Sequence, residues 1–233
     1  MQRFNKKRVF IKNISNKKNF KMKKTLLTTT IILTFLLTST VAVAQLTEIR
    51  NENLSGFTKV DFGAPGKVNI RIGSEFNVAF EGEQVFLDQV EAKISNGTLI
   101  IRRIKQTIRW WQKINYKSDD FRVTVNITMP AISGISVSSL GNVEVFDSIK
   151  TGSLSLKASD LGGIILNNVS GEYLNCEIED LGRILVQGNG SFDKADIRIK
   201  DLGRFNGEYL KLETSNVKTT DLGGIKYSES SKN

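Results

Sequence analysis

From position 139 onward, apolar and polar residues alternate along the chain, and the same three letters interrupt them at a nearly constant interval. Asp-Leu-Gly stands at 160–162, 180–182, 201–203 and 221–223, with Ser139-Leu140-Gly141 as a variant ahead of them. Before these corners, alternate positions are apolar or small: Leu154/Leu156/Ala158, Leu174/Cys176/Ile178, Ala195/Ile197/Ile199 and Ser215/Val217/Thr219. After them come Val143/Val145, Ile164/Leu166, Ile184/Val186, Phe205/Gly207 and Ile225/Tyr227. Period-2 alternation predicts strands with one buried face. Each unit therefore reads as two short strands around a corner, plus a turn such as "NNVSGE" (167–172) or "QGNGSF" (187–192).

A fixed period of this length built from strands predicts a solenoid in which each copy is one coil. Leucine-rich repeats share the period, but they need a different leucine spacing and a helical half, and no helical period is visible. The predicted class is therefore all-β, a single-stranded parallel β-helix with about 20–21 residues per coil and regular repeats over 139–227. In that frame the corner has a mechanical reading. Asp160, Asp180, Asp201 and Asp221 accept backbone N–H groups as Asx-turns. Leu161, Leu181, Leu202 and Leu222 point into the core, and Gly162, Gly182, Gly203 and Gly223 supply a positive φ. The competing reading is a stacked carboxylate column that binds Ca²⁺ or performs acid/base chemistry, with Arg183 and Arg204 neutralising it. Cys176 falls on the buried alternation and reads as core.

Residues 54–137 are strand-rich but less regular, with "KVNIRI", "FNVAFEG", "VEAKISNGTLIIRRI" and "FRVTVNITMP" punctuated by "GAPG", "GSE" and "SNG". They read as the first, degenerate coils, with a short helical turn at the start of "QVFLDQVEAKI". One loop breaks the pattern: "RRIKQTIRWWQKINYKSDDFR" at 102–122, which places Trp110, Trp111 and Tyr116 among lysines and arginines. These aromatics either form a surface for a glycan, an anionic membrane or a partner, or cap the open end of the solenoid.

The formal charge of +9 invites a nucleic-acid reading, but ten of the basic residues lie in the first 44 positions, where no acid occurs. Residues 45–233 hold 23 basic and 24 acidic side chains. The predicted folded part therefore lacks the positive field that phosphate binding needs. "MKKTLLTTTIILTFLLTSTVAVAQ" from Met22 has a basic start, an apolar run and a small-x-small end at Ala42-Val43-Ala44. It predicts a signal peptide (22–44) cleaved before Gln45, export, and no integral span after cleavage. Residues 1–21 then read as an upstream extension, and 45–233 as one solenoid domain. Cys176 is the single cysteine and histidine is absent. Histidine-based acid/base catalysis, the Ser-His-Asp and Cys-His systems and histidine metal ligands are thereby excluded.

"LSGFTKVDFGAPGKVNIRIGSEFNVAFEGE", "VEAKISNGTLIIRR" and "VTVNITMPAISGISVSSLGNVEV" resemble the putative auto-transporter adhesin, head GIN domain family of exported, mostly Bacteroidetes-type proteins. The resemblance covers roughly residues 50–227. Its most specific marks are Gly56-Phe57-x-x-Val60, the Gly-Thr-Leu-x-Ile run at 97–101, and Met129-Pro130 before the repeats. It implies a right-handed, pectate-lyase-like β-solenoid and carries no catalytic residues or cofactor. This chain departs from the family pattern by writing Asp-Leu-Gly where Ser-Gly-x-Gly is usual. Its end, "IKYSESSKN", stops part-way through a coil, which either blunts an open strand edge or marks a shorter chain than its relatives. The expected function is a non-catalytic envelope protein, adhesin-like, binding a glycan or an envelope protein in the periplasm, at the cell surface or outside the cell. The alternatives are a β-helical polysaccharide lyase or hydrolase using the aspartate column, and a self-associating structural module.

Overall fold

The computed structural model describes residues 47–104 and 122–229. The chain runs through β1 (Glu48–Glu52), β2 (Lys59–Gly63), β3 (Gly66–Ile72), β4 (Asn77–Gly82), a single helical turn α1 (Gln84–Leu87), β5 (Val90–Ser95) and β6 (Thr98–Arg103). It continues through β7 (Val123–Met129), β8 (Gly134–Val137) and β9 (Gly141–Val145). The regular part follows: β10 (Ile149–Ala158), β11 (Gly163–Leu166), β12 (Val169–Ile178), β13 (Arg183–Val186), β14 (Gly190–Ile199), β15 (Arg204–Thr219) and β16 (Gly224–Glu229).

Among the described residues, all sixteen strands belong to one sheet that does not close on itself. Two parallel ladders carry the repeats. The long strands stack as β8, β10, β12, β14 and the second half of β15, so that Ile149, Val169, Gly190 and Leu210 stand in register. The short strands stack as β9, β11, β13, the first half of β15 and β16, aligning Val143, Ile164, Ile184, Phe205 and Ile225. Their inward side chains form the core: Leu154, Leu156, Cys176, Ile178, Ile197 and Ile199 are each at most 1% exposed. That burial pushes the Cys176 thiol far above its ordinary range.

The ladders extend upstream across a long gap in sequence. β2 pairs with β8 and β3 with β9, so the unit built from residues 59–72 stacks directly on the one built from 134–145. The intervening segment, 73–133, adds β6 beside β2 and β7 beside β3, both parallel. It also adds antiparallel strands, β4 on β7 and β5 on β6, while β1 pairs antiparallel with β4. The sheet is therefore mixed, and the expectation of an all-parallel arrangement fails at this end. The tight turn "SNG" between β5 and β6, with Asn96 and Gly97 both at positive φ, makes that pair an antiparallel hairpin. α1 sits at the same end, as its sequence predicts, and buries Phe86 and Leu87. Arg50 holds it in place by donating to the carbonyls of Leu87 (2.6 Å) and Val90 (3.0 Å) while its guanidinium lies over Phe80.

At the opposite end the core runs out. Ser215, Val217, Ile225 and Tyr227 occupy inward positions yet are only partly buried, because among the described residues no further unit covers them.

Candidate functional site

The Asp-Leu-Gly corners form a column, but their parts do not play the expected roles. The positive φ belongs to the first residue of each corner: Ser139 at 62°, Asp160 at 54°, Asp180 at 56°, Asp201 at 57° and Asp221 at 59°. Aspartate tolerates this region better than most residues because its short side chain can bond locally. Gly162, Gly182, Gly203 and Gly223 have ordinary φ and are needed for space. A Cβ on Gly182 would stand 2.4 Å from the carbonyl oxygen of Ala158, and one on Gly203 2.7 Å from Ile178 Cγ2. The leucines face outward: Leu140 is 59% exposed, Leu161 50%, Leu181 49%, Leu202 48% and Leu222 80%. The reason is parity. Ala158, Gly162 and Ile164 are all even-numbered and buried, so Leu161 falls on the other face.

Hydrogen bonds join one corner to the next. The amide of Leu161 donates to Ser139 O, that of Leu181 to Asp160 O and that of Leu202 to Asp180 O, at 2.9–3.1 Å. The carboxylate of Asp160 accepts the Ser139 amide at 3.0 Å, and that of Asp180 accepts the Asp160 amide at 3.4 Å. At Asp160 and Asp180 these bonds reach the preceding unit, in place of the expected Asx-turn within the corner. Among the described residues, no group of three or more Asp, Glu or Cys side chains is placed to hold a metal. Arg183 and Arg204 do not neutralise the column either, since no ion pair joins them to a carboxylate among the described residues. They are exposed and stacked in register, flanked by Gly163 and Gly224.

Charges on the outer face of the long ladder are better matched. Lys157 bridges Glu177 at 3.0 Å and Glu179 at 3.4 Å, and Lys200 bridges Glu179 at 2.6 Å. The Lys200 hydrogen bond holds the Glu179 carboxyl below the usual range, and Lys157 adds to the effect. The Glu177 and Glu179 hydrogen bonds raise Lys157 and Lys200 respectively. Because the folded value of Glu179 lies below its ordinary 4.5, its contribution is complete above that pH and is lost as pH falls through the depressed value. The lysine contributions are complete below their ordinary 10.5 and are lost as pH rises through the raised values. Glu179→Gln should accordingly lower the urea midpoint slightly at neutral pH, and the difference from wild type should vanish in acid. The effect is small because these side chains are a quarter to a half exposed. Urea melts across the acid range check it. Further along the same face, Tyr173 donates a hydrogen bond to Asp196, which also accepts from Asn216 at 2.8 Å.

An open concavity lies on the other side of the repeats, where short strands turn into the next long strands. A groove of about 500 Å³ crosses four units there. Ser148, Asn168, Asn189 and Tyr209 line one side, and Lys150, Ser170, Ser191 and Lys211 the other. Asn168 braces the wall by accepting the Asn189 amide at 2.9 Å and donating to Ser148 Oγ at 3.4 Å. Asn189 is exposed, and Tyr209 stands 58% exposed at one end. By type alone these residues read as turn filler, and sequence reasoning misses them. Their common signal is one position per turn of the repeat.

Trp110, Trp111 and Tyr116, the surface expected from sequence, lie outside the described residues. Their segment joins β6 to β7, whose near ends stand in register with Gly63 and Gly66, the bounds of the "GAPG" corner. The expected signal peptide, residues 22–44, also lies outside the described residues. Among the described residues no helix is long and apolar enough to cross a membrane.

Fold and surface together define an all-β protein of stacked strand repeats with its chemistry spread along lateral faces. More specifically, the chain belongs to the family described as "putative auto-transporter adhesin, head GIN domain", whose model matches residues 56–227. The fold recurs in a protein from Bacteroides fragilis described as a putative adhesin (15% identity, TM-score 0.55, 79% of this chain and 98% of that one). A putative adhesin from Parabacteroides merdae is similar at 14% identity and TM-score 0.60, over 79% of this chain and 82% of that one. A protein from Parabacteroides distasonis described as a putative lipid binding protein shares 12% identity at TM-score 0.50, over 80% and 96%. No curated protein matches the sequence.

Proposed function

We infer that this is a non-catalytic, exported cell-envelope protein of adhesin type, a right-handed β-solenoid that binds a saccharide along its side. The observation that carries the reading is the groove across Ser148, Asn168, Asn189 and Tyr209. Amides and hydroxyls repeating at the inter-strand spacing match a chain of sugar hydroxyls, and an exposed tyrosine offers a stacking face. Lys150 and Lys211 favour a saccharide bearing carboxylate or sulfate groups. The family description and the adhesin-described neighbours support an envelope role, as does the apolar stretch ending in Ala42-Val43-Ala44. The long parallel ladder, stepping from Leu154 to Leu174 to Ala195 to Ser215, supports the solenoid.

The test is a screen against neutral and acidic glycans, followed by titration of the best binder with wild type, Tyr209→Ala and Asn189→Ala. Each variant should weaken binding roughly tenfold, the scale of one lost stacking or hydrogen-bonding contact. No binding to any glycan, or binding that ignores both substitutions, would refute the reading.

A further inference from the structure

Five outward leucines, one per unit, make a continuous apolar ridge along the corner column. Leu140, Leu161, Leu181, Leu202 and Leu222 are 48–80% exposed, and the amides of Leu161, Leu181 and Leu202 are tied to the preceding corner. The ridge is thus fixed in spacing and cannot fold away. Five half-exposed leucines in line reach the few-hundred-Å² scale at which a surface patch marks an interaction site.

The flanks of the ridge carry opposite charge in the same rows. On one side run Asp160, Asp180, Asp201 and Asp221. On the other, two positions beyond each of the last four leucines, stand Gly163, Arg183, Arg204 and Gly224. Asp180 and Arg183 share a row, as do Asp201 and Arg204, and neither arginine is ion-paired among the described residues. Arg183 and Arg204 are direct neighbours in the ladder, an arrangement of like charges that costs energy unless something opposite approaches it.

We propose that the leucine ridge is a homodimer interface in which two copies pack with their ladders parallel, related by a two-fold axis running along the ridge. Such a rotation keeps every row facing its own counterpart and exchanges the flanks. Asp180 then meets Arg183 of the second copy, and Asp201 meets Arg204, in both directions. The other face-to-face two-fold, with ladders antiparallel, would set aspartate against aspartate and arginine against arginine. The rows of Gly163 and Gly224 carry no arginine, and Asn142 leans over the first of them, its Oδ1 2.4 Å from where a Cβ on Gly163 would stand. Two ridges with their flanks bury on the order of 1,000 Å², where stable interfaces begin. This surface is separate from the saccharide groove, and the proposal stands without that reading.

The experiment uses the full chain expressed in an exporting host and purified as that host processes it. Sedimentation over a concentration series should show a reversible dimer. Leu181→Asp/Leu202→Asp should be monomeric with an unchanged circular dichroism spectrum, because both side chains are already in water. Arg183→Glu/Arg204→Glu should weaken the dimer at least about tenfold at low salt and less at high salt. Leu202→Cys alone should form a disulfide-linked dimer on oxidation, as should Leu161→Cys alone, because each row faces itself. Buried Cys176 does not compete. A monomer at every concentration, or a dimer that survives the aspartate pair because it forms through the open end at Val217 and Tyr227, would overturn the proposal. Cross-linking of Leu161→Cys only to Leu202→Cys would overturn the parallel arrangement.

Discussion

Gly182→Ala should destabilise the protein by about 2–3 kcal/mol, a heavy loss for one added methyl. The new Cβ would sit 2.4 Å from the Ala158 carbonyl oxygen, 2.7 Å from its carbon and 3.0 Å from Glu179 O, all of them backbone. No rotamer change relieves such a contact, so the corner must move away from the unit beneath it. That movement strains the bonds from the Glu179 amide to Ala158 O and from Leu181 to Asp160 O, both 2.9 Å. Asp180→Gly, two positions earlier, should stay within about 1 kcal/mol of wild type. Glycine relieves the positive φ there and gives up only the long 3.4 Å hydrogen bond that the Asp160 amide donates to the carboxylate. Thermal melts of both variants check the pair, with Gly182→Ala lowering the midpoint by roughly 5–10 °C. If the positive φ belonged to the glycine instead, Gly182→Ala would remain costly, but Asp180→Gly would relieve no strain and would itself become clearly destabilising.

That contrast shows what the sequence discloses and what it hides. Strand parity is open to reading: Leu174, Cys176 and Ile178 alternate in letters and are buried in fact. The repeat length is equally open, since Leu161, Leu181 and Leu202 recur at the spacing the corner bonds require. The orientation of the corner leucine is easily misjudged because leucine reads as core by type. Counting the alternation straight through the corner corrects it, since Ala158, Gly162 and Ile164 share a parity that Leu161 lacks. The stacking of residues 59–72 on 134–145 has no local signal, because a register between distant strands is decided by packing, with no trace in either segment alone. The groove escapes for a related reason. Ser148, Asn168, Asn189 and Tyr209 differ in type, and only the register makes them one wall.

Phe192→Ala should be the costliest core truncation in the repeats, at about 3–5 kcal/mol and toward the upper end. Phe192 is completely buried and stands in the ladder between Gly171 and Leu212. Its ring fills the space that a side chain on Gly171 would otherwise take, so a Cβ there would lie 2.9 Å from Phe192 Cε1. Removing the ring opens a cavity over a residue with nothing to lean into it, and poor collapse raises the cost of a cavity. Refilling from below is blocked as well, because a Cβ on Gly171 would also meet the Thr151 carbonyl oxygen at 2.1 Å. The double variant Gly171→Ala/Phe192→Ala should therefore be less stable than Phe192→Ala, although it restores volume. Phe192→Leu should recover more than half of the loss. Hydrogen exchange gives the sharper readout, since stacked units transmit stability mainly to their neighbours. Protection should fall first in β12, β14 and β15, while β2, β3, β8 and β9 stay closed. A uniform loss across both groups would mean that the stack unfolds as one block and that Phe192 is a global linchpin with no local role.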